Sequence, residues 1–234
     1  MVFFLFSCYN NLGDFMFSKR IQMIASKIPI NSNLADVGCD HGYLIIEAKN
    51  NNLIDKVIAI DNKKAPLESA KNNIAKYLSL DAQKKVRYSL SSGMNDIDDD
   101  TNCIVIAGMG GLLINNIIQE GINNNKVNNT QTYVIEANRN CYEVRKFLEA
   151  NFFTIVDEEI IFENEKYYEI IVCKKNDFIT PLTEDEAMFG PILLKNKSKV
   201  FINKYLDEMQ KLMNIYCGQE NIKQKIERIK NICL

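Results

Sequence analysis

Leu34-Ala35-Asp36-Val37-Gly38-Cys39-Asp40-His41-Gly42-Tyr43 is the stretch on which the reading of this chain turns. It has the pattern of a buried strand's end, a glycine turn and the first turn of a helix. Gly38 suits a backbone that turns where a side chain would clash, and Gly42 suits close packing as the helix begins. Asp36 stands at the end of the strand, and open α/β sheets bind their ligands outside the carboxyl ends of strands. Charge narrows the choice of ligand. A dinucleotide fingerprint brings a pyrophosphate to the helix N-terminus. Here Asp40 occupies the middle of the loop, four residues after Asp36. Two carboxylates repel a pyrophosphate and suit a cationic ligand without phosphate. S-adenosylmethionine, with its sulfonium and ammonium groups, has that character. The alternative at this point is a corner that binds nothing, with Asp40 serving as a helix cap.

Working outward, residues 18–28 form an amphipathic helix signal. Ser18 is its cap, Ile21, Ile24, Ala25 and Ile28 share one face, and Pro29 ends it. After the glycine turn a helix is expected over 41–50. The apolar run 56–61 then ends in Asp61, placed where an acid accepts hydrogen bonds from ribose hydroxyls. A helix over 66–78, a strand over 86–90 and a loop at Ser91-Ser92-Gly93-Met94 follow, with a solvated acidic turn over 96–100. The fourth strand, 103–107, is wholly apolar and runs into Gly108-Met109-Gly110-Gly111. Glycine so dense at the end of a central strand suits either the close approach of a planar base or a tight strand-to-helix turn. A helix over 112–120 closed by Gly121, a strand over 132–136 and a helix over 141–150 come next. Two strands then flank a hairpin turn at Glu163-Asn164-Glu165-Lys166. The sum is an α/β protein: five βα units and a terminal hairpin, the layout of a Rossmann-like class I methyltransferase sheet.

The character changes after Pro181. Ile202, Tyr205, Leu206, Met209, Leu212, Met213 and Tyr216 form one helical stripe, Gly218 interrupts, and Ile222, Ile226, Ile229 and Cys233 recur at coiled-coil spacing. A two-helix hairpin is expected. From Lys195 onward nine Lys or Arg stand against four Asp or Glu, although the whole chain carries a formal charge of -2. Such segregation suits a basic arm for nucleic acid on an acidic body, or an ordinary solvated helical face. Three segments are therefore expected: an N-terminal extension over 1–16, a sheet domain over 17–180 and a helical coiled-coil domain over 181–234. The second methionine, Met16, marks the extension as a mis-assigned start or a loose arm.

Composition excludes several classes. With 234 residues, 47% of them hydrophobic, the chain can fill one α/β core and a smaller appendage. The apolar start is too short to span a membrane and lacks the basic residues of a signal peptide. Seven scattered cysteines without a C-x-x-C pair read as reduced, buried thiols of a cytoplasmic protein. A single histidine leaves no ordinary His/Cys zinc site, so no metal is expected.

With these residues in hand, the chain from about Phe17 onward resembles the bacterial tRNA (adenine-22) N1-methyltransferase family. The carriers are Ser18-Lys19-Arg20-Ile21, Ala35 through Leu44 with its Asp40-His41 pair, and Glu68-Ser69-Ala70. Ala107-Gly108-Met109-Gly110-Gly111, Tyr168-Glu169-Ile170-Ile171 and Phe189-Gly190-Pro191 complete them. The resemblance implies an S-adenosylmethionine-dependent enzyme acting on tRNA, expected as a monomer. It implies that Asp36, Gly38, Asp61, Ser92, Ala107 and Gly108 hold the cofactor and that Asp40, His41 and Tyr43 face the transfer site. Met109, Gly110, Gly111, Asn138, Lys195 and Lys199 would then meet the substrate. Two departures stand out: Ser91-Ser92-Gly93-Met94 where the family usually has Gly-Asp-Gly-Leu, and Glu136-Ala137-Asn138 where it has Gln-Pro-Asn. They motivate a second reading, a non-catalytic RNA-binding protein that kept the fold. A nicotinamide-dependent oxidoreductase is disfavoured by Asp40.

Overall fold

A computed structural model of the chain describes residues 17–233, so the expected extension over 1–16 lies outside the described residues. One seven-stranded sheet organises the molecule. Strands β1 (Ser32–Val37), β2 (Ile54–Asp61), β3 (Val86–Leu90), β4 (Cys103–Gly110) and β5 (Thr132–Arg139) are parallel. The hairpin of β6 (Phe153–Glu163) and β7 (Lys166–Lys175) adds to β5 through β7, which runs antiparallel to both neighbours, giving the order β3-β2-β1-β4-β5-β7-β6. The hairpin turns on Asn164 and Glu165, both at positive φ (49° and 61°), the twist that matches right-handed strands.

Strand periodicity of two explains the layers. Leu34, Val57, Ala59, Val105 and Val134 face α1 (Lys19–Ser26), α2 (Tyr43–Asn50) and α3 (Lys64–Tyr77). Ala35, Ile58, Ile60, Ile104 and Tyr133 face α5 (Gly111–Asn123) and α6 (Cys141–Ala150) on the other side. A single turn, α4 (Leu80–Gln83), precedes β3. Ser18 caps α1 by accepting from the Ile21 N–H, as its sequence implies.

Several sequence expectations need correction. α2 begins at Tyr43 and not at residue 41, because Asp40 and Gly42 both adopt positive φ (46° and 70°). Gly42, not Asp40, is the helix cap, so Asp40 is not spent on capping. β4 continues past Ala107 to Gly110, with its register against β5 broken on either side of Met109. Gly121 lies inside α5 and does not close it; a Cβ there would stand 2.9 Å from the Met94 sulfur, so the glycine makes room for a buried methionine. Of the thiols, Cys217 is exposed while Cys39, Cys103 and Cys173 are buried.

After Pro181 the chain forms two short helices that sequence reading missed, α7 (Glu184–Phe189) and α8 (Pro191–Asn196). The expected hairpin follows as α9 (Lys199–Ile215) and α10 (Glu220–Cys233). Phe189, Leu193, Phe201, Tyr205, Ile229 and Ile232 bury together with Ile160 of β6. The apolar stripe of α9 is thus only partly used. Phe201, outside the expected stripe, is fully buried, whereas Met213 and Tyr216 are exposed at the distal end. Beneath this cluster lies an ionic network. Arg145 of α6 reaches Glu158 at 2.8 Å and Glu169 at 2.5 Å, all three buried, and Lys204 of α9 also binds Glu169. Glu158 accepts the Ile192 N–H of α8 at 2.9 Å. Burial alone would lift the Glu169 pKa, but Arg145 and Lys204 hold it at about 2.

Candidate active site

The strand order reverses between β1 and β4, and such a switch point leaves a crevice at the strands' carboxyl ends. A cavity of about 700 Å³ opens there. Asp36, Gly38, Asp40, His41 and Tyr43 from the β1–α2 turn line it, with Asp61 from β2, Ser92 beyond β3, and Ala107, Gly108 and Met109 from β4. Ten of the residues singled out in the sequence therefore meet around one cavity. Gly110, Gly111, Asn138, Lys195 and Lys199 do not line it. For Gly111 the reason is packing: a Cβ would lie 2.7 Å from the Asn140 carbonyl oxygen and from a Val144 methyl, so this glycine serves the strand-to-helix turn. Gly110 backs onto the Arg139 side chain. Asn138 lines a second cleft, shared with Lys204 and Lys225 of the helical hairpin, while Lys195 and Lys199 are exposed and border neither cavity.

The carboxylates are arranged by depth. Asp36 is buried, and its Oδ2 has no hydrogen-bond partner among the described residues. Burial, and then the charges of Asp61 and Asp40, push its pKa from 3.8 up to about 7. Asp61 is fixed: its Oδ1 accepts the Lys63 N–H at 2.9 Å and its Oδ2 faces the Asp40 N–H at 3.4 Å. Each oxygen keeps a lone pair for a further donor. Asp40 is exposed, with its carboxylate 3.6 Å from the His41 ring. His41 Nδ1 pairs with the Ser69 hydroxyl at 2.7 Å, its carbonyl accepts from Asn73, and its ring lies 5.6 Å from Tyr43. Gly38, at φ 79°, has the Met109 methyl directly over its Cα; a Cβ there would stand 2.1 Å from it.

Among the lining residues that the sequence did not assign to the site, two stand out. Arg20 of α1 joins the wall, its guanidinium 5.2 Å from the Tyr168 ring centre and 3.2 Å from Glu136. Leu113, at the start of α5, is a half-exposed apolar side chain on the rim. Arg20 lies in the Ser18-Lys19-Arg20-Ile21 stretch quoted for the family, but its place in the cavity wall depends on contacts with distant elements, as does that of Leu113.

The site suits the cation inferred from the sequence. An unpartnered carboxyl oxygen deep in the cavity, with two further carboxylates nearby, asks for a positively charged donor. Comparison with known proteins bears on the same point. The family model described as tRNA (adenine(22)-N(1))-methyltransferase matches residues 34–233.

The chain belongs to that family.

The Bacillus subtilis tRNA (adenine(22)-N(1))-methyltransferase is 30% identical over 229 residues, covering 93% of this chain and 94% of the relative. A Streptococcus pneumoniae protein solved in complex with S-adenosyl-L-methionine superposes with a TM-score of 0.86 at 32% identity, over 94% of this chain and 100% of the other. The Mycoplasma capricolum TrmK, solved with S-adenosyl-homocysteine, has a TM-score of 0.78 at 25% identity over 93% and 98% of the two chains. Membership agrees with the local chemistry: this chain gathers the Asp36, Asp40 and Asp61 carboxylates around one cavity. Among the described residues no helix is long and apolar enough to cross a membrane, and no three His, Cys, Asp or Glu side chains cluster to hold a metal.

Proposed function

We propose that this protein methylates N1 of adenine 22 in tRNA with S-adenosylmethionine as the methyl donor. The observation that carries the reading is the unpartnered, buried Asp36 Oδ2 at the switch-point cavity, in a chain matched along most of its length by the methyltransferase family. When bound, S-adenosylmethionine supplies an electrophilic methyl group on a sulfonium centre. Asp36 in its ionised form would hold the ammonium group, its proton having passed to solvent, and Asp61 would accept from the ribose hydroxyls. Ser92 takes the place of the usual acid beside the adenine, a weaker neutral acceptor. Arg20, which lines the cavity beside Glu136, would meet the carboxylate.

Adenine N1 is unprotonated near neutral pH, so no general base is needed before attack. The residues around the target have to align its in-plane lone pair with the methyl group, which is catalysis by positioning. Because N1 lies on the Watson–Crick edge, the base is read unpaired or flipped out. His41 and Tyr43 offer aromatic faces to orient it. The methylated base is a cation, and Asp40 stabilises that charge as it develops. The basic helical segment, with Lys195 of α8 and Lys199 of α9, binds the tRNA backbone. The same reading makes the chain a cytoplasmic monomer with a sheet domain over 17–180 and a helical domain over 181–234.

The test is transfer of label from S-adenosylmethionine to unmodified tRNA, followed by identification of the labelled nucleoside. Label in 1-methyladenosine at position 22 supports the reading. Label in another nucleoside overturns the substrate. A folded protein that neither binds S-adenosylmethionine nor transfers label is the RNA-binding alternative.

A further inference from the structure

The floor of the cavity is held from behind by a side-chain clamp. Gly108 sits at φ 76°, where the β4 register breaks, so the ladder alone does not fix its peptide groups. Its N–H donates to Glu136 Oε2 at 2.9 Å, and its carbonyl accepts from Asn138 Nδ2 at 2.7 Å. Glu136 and Asn138 are two residues apart on β5 and therefore project from the same face. Together they bracket one glycine of the neighbouring strand. Glu136 is fully buried, and its Oε1 has no hydrogen-bond partner among the described residues. Burial raises its pKa, while Arg20 and the Gly108 N–H act in the opposite sense. A buried carboxyl group in this position is costly unless it does something that a smaller apolar residue could not.

We propose that Glu136 and Asn138 are positioning residues for methyl transfer: they lock the Gly108 peptide, and through it the Ala107–Met109 backbone that forms the cavity wall, with Arg20 holding Glu136 in place. This rests on the functional reading above and adds residues to it that do not themselves touch the reacting atoms. The clamp takes up the Gly108 N–H and one lone pair of its carbonyl, so what the cavity receives from this turn is mainly its shape and the Met109 side chain lying over Gly38. A loosened turn would let Met109 swing and misplace donor and acceptor, and misalignment of that kind lowers turnover far more than affinity.

The test uses the full chain with Glu136→Gln, Glu136→Ala and Asn138→Ala, assayed for kcat at saturating S-adenosylmethionine and for tRNA Kd. Glutamine keeps an acceptor for the Gly108 N–H, so Glu136→Gln is expected to hold kcat within about threefold of the parent, whereas Glu136→Ala loses about thirtyfold or more. Asn138 is exposed, so Asn138→Ala keeps the fold and serves if Glu136→Ala does not; it is expected to lose about tenfold in kcat with tRNA Kd unchanged. Amide exchange at Gly108 should quicken in both alanine variants and not in the glutamine one. Alanine variants with parental kcat would overturn the clamp. So would a glutamine variant as impaired as Glu136→Ala, which would assign the effect to charge. Parent protein that labels no tRNA nucleoside would instead overturn the functional reading underneath.

Discussion

Replacing Asp36 with asparagine exchanges a carboxyl group for a neutral amide of nearly the same shape at the deepest point of the cavity. In the ligand-free protein the carboxyl has a pKa of about 7 against an ordinary 3.8, because burial, Asp61 and Asp40 all oppose its charge. Between those two pH values the native state keeps a proton that the unfolded chain has lost. Stability therefore falls as pH rises from about 4 to about 7 and stays low above that. The gap between 3.8 and about 7 is worth at most about 4 kcal/mol. Asparagine removes this loss but adds an amide donor with no evident partner, at about 1–3 kcal/mol. The net expectation is that Asp36→Asn is more stable than the parent at pH 8 by about 1–3 kcal/mol and less stable at pH 4, where only the amide penalty remains. For a chain of this size each kcal/mol moves Tm by about 2–4 °C. The assay is a series of thermal melts of both ligand-free proteins from pH 4 to 8.5, repeated with S-adenosylmethionine. The Tm difference should change sign across the series, and the ligand-induced rise in Tm should shrink in the variant, since the ammonium loses its counter-charge. A Tm difference independent of pH, with an unchanged ligand shift, would refute both the burial argument and the role of Asp36.

Three further outcomes are expected. Asp40→Ala should lose methyl transfer by about a hundredfold while tRNA Kd stays within about threefold, measured by single-turnover labelling beside filter binding; equal turnover would remove Asp40 from the mechanism. Reversing Lys195, Lys197 and Lys199 to glutamate should weaken tRNA binding and flatten its dependence on salt, and an unchanged slope of log Kd against log salt would return these exposed lysines to ordinary surface. Gly190→Ala should cost about 3 kcal/mol in denaturant melts, because Gly190 has φ 92° and a Cβ would stand 2.7 Å from Glu158 and 2.8 Å from Arg145; an unaltered midpoint would show that the ionic network yields freely.

What could be read in advance follows the range of the forces involved. The strands were legible because alternation and apolar runs are local, and the cavity because Asp36, Gly38, Asp40, Asp61 and the glycines after strand four lie at strand ends, where topology gathers them. The glycines show the limit. Gly108, Gly110 and Gly111 look alike in sequence. Only their neighbours separate a left-handed turn at Gly108 from a close approach to Asn140 and Val144 at Gly111. Glu136 read as a departure from the family pattern, yet its role depends on Arg20, 116 residues away. The short helices α7 and α8, six residues each, are too brief to show an amphipathic period, and Gly190 between them serves to pass over Arg145.

That passage bears on how the protein can be dissected at the bench. Composition invites a cut at residue 181, to ask what the sheet does without its basic hairpin. Such a shortened chain would strip Ile192 from Glu158, Lys204 from Glu169, and Phe189 and Phe201 from Ile160. It would leave two buried carboxylates to one arginine and lay bare the outer strands of the hairpin sheet. Lost activity would then report a damaged sheet edge, not the absence of an RNA-binding arm. The distal tip offers a cleaner cut: Met213, Ile215 and Tyr216 are exposed and Gly218 has nothing within 4 Å of where its Cβ would lie. Removing matched turns of α9 and α10 there would shorten the arm while leaving its root seated.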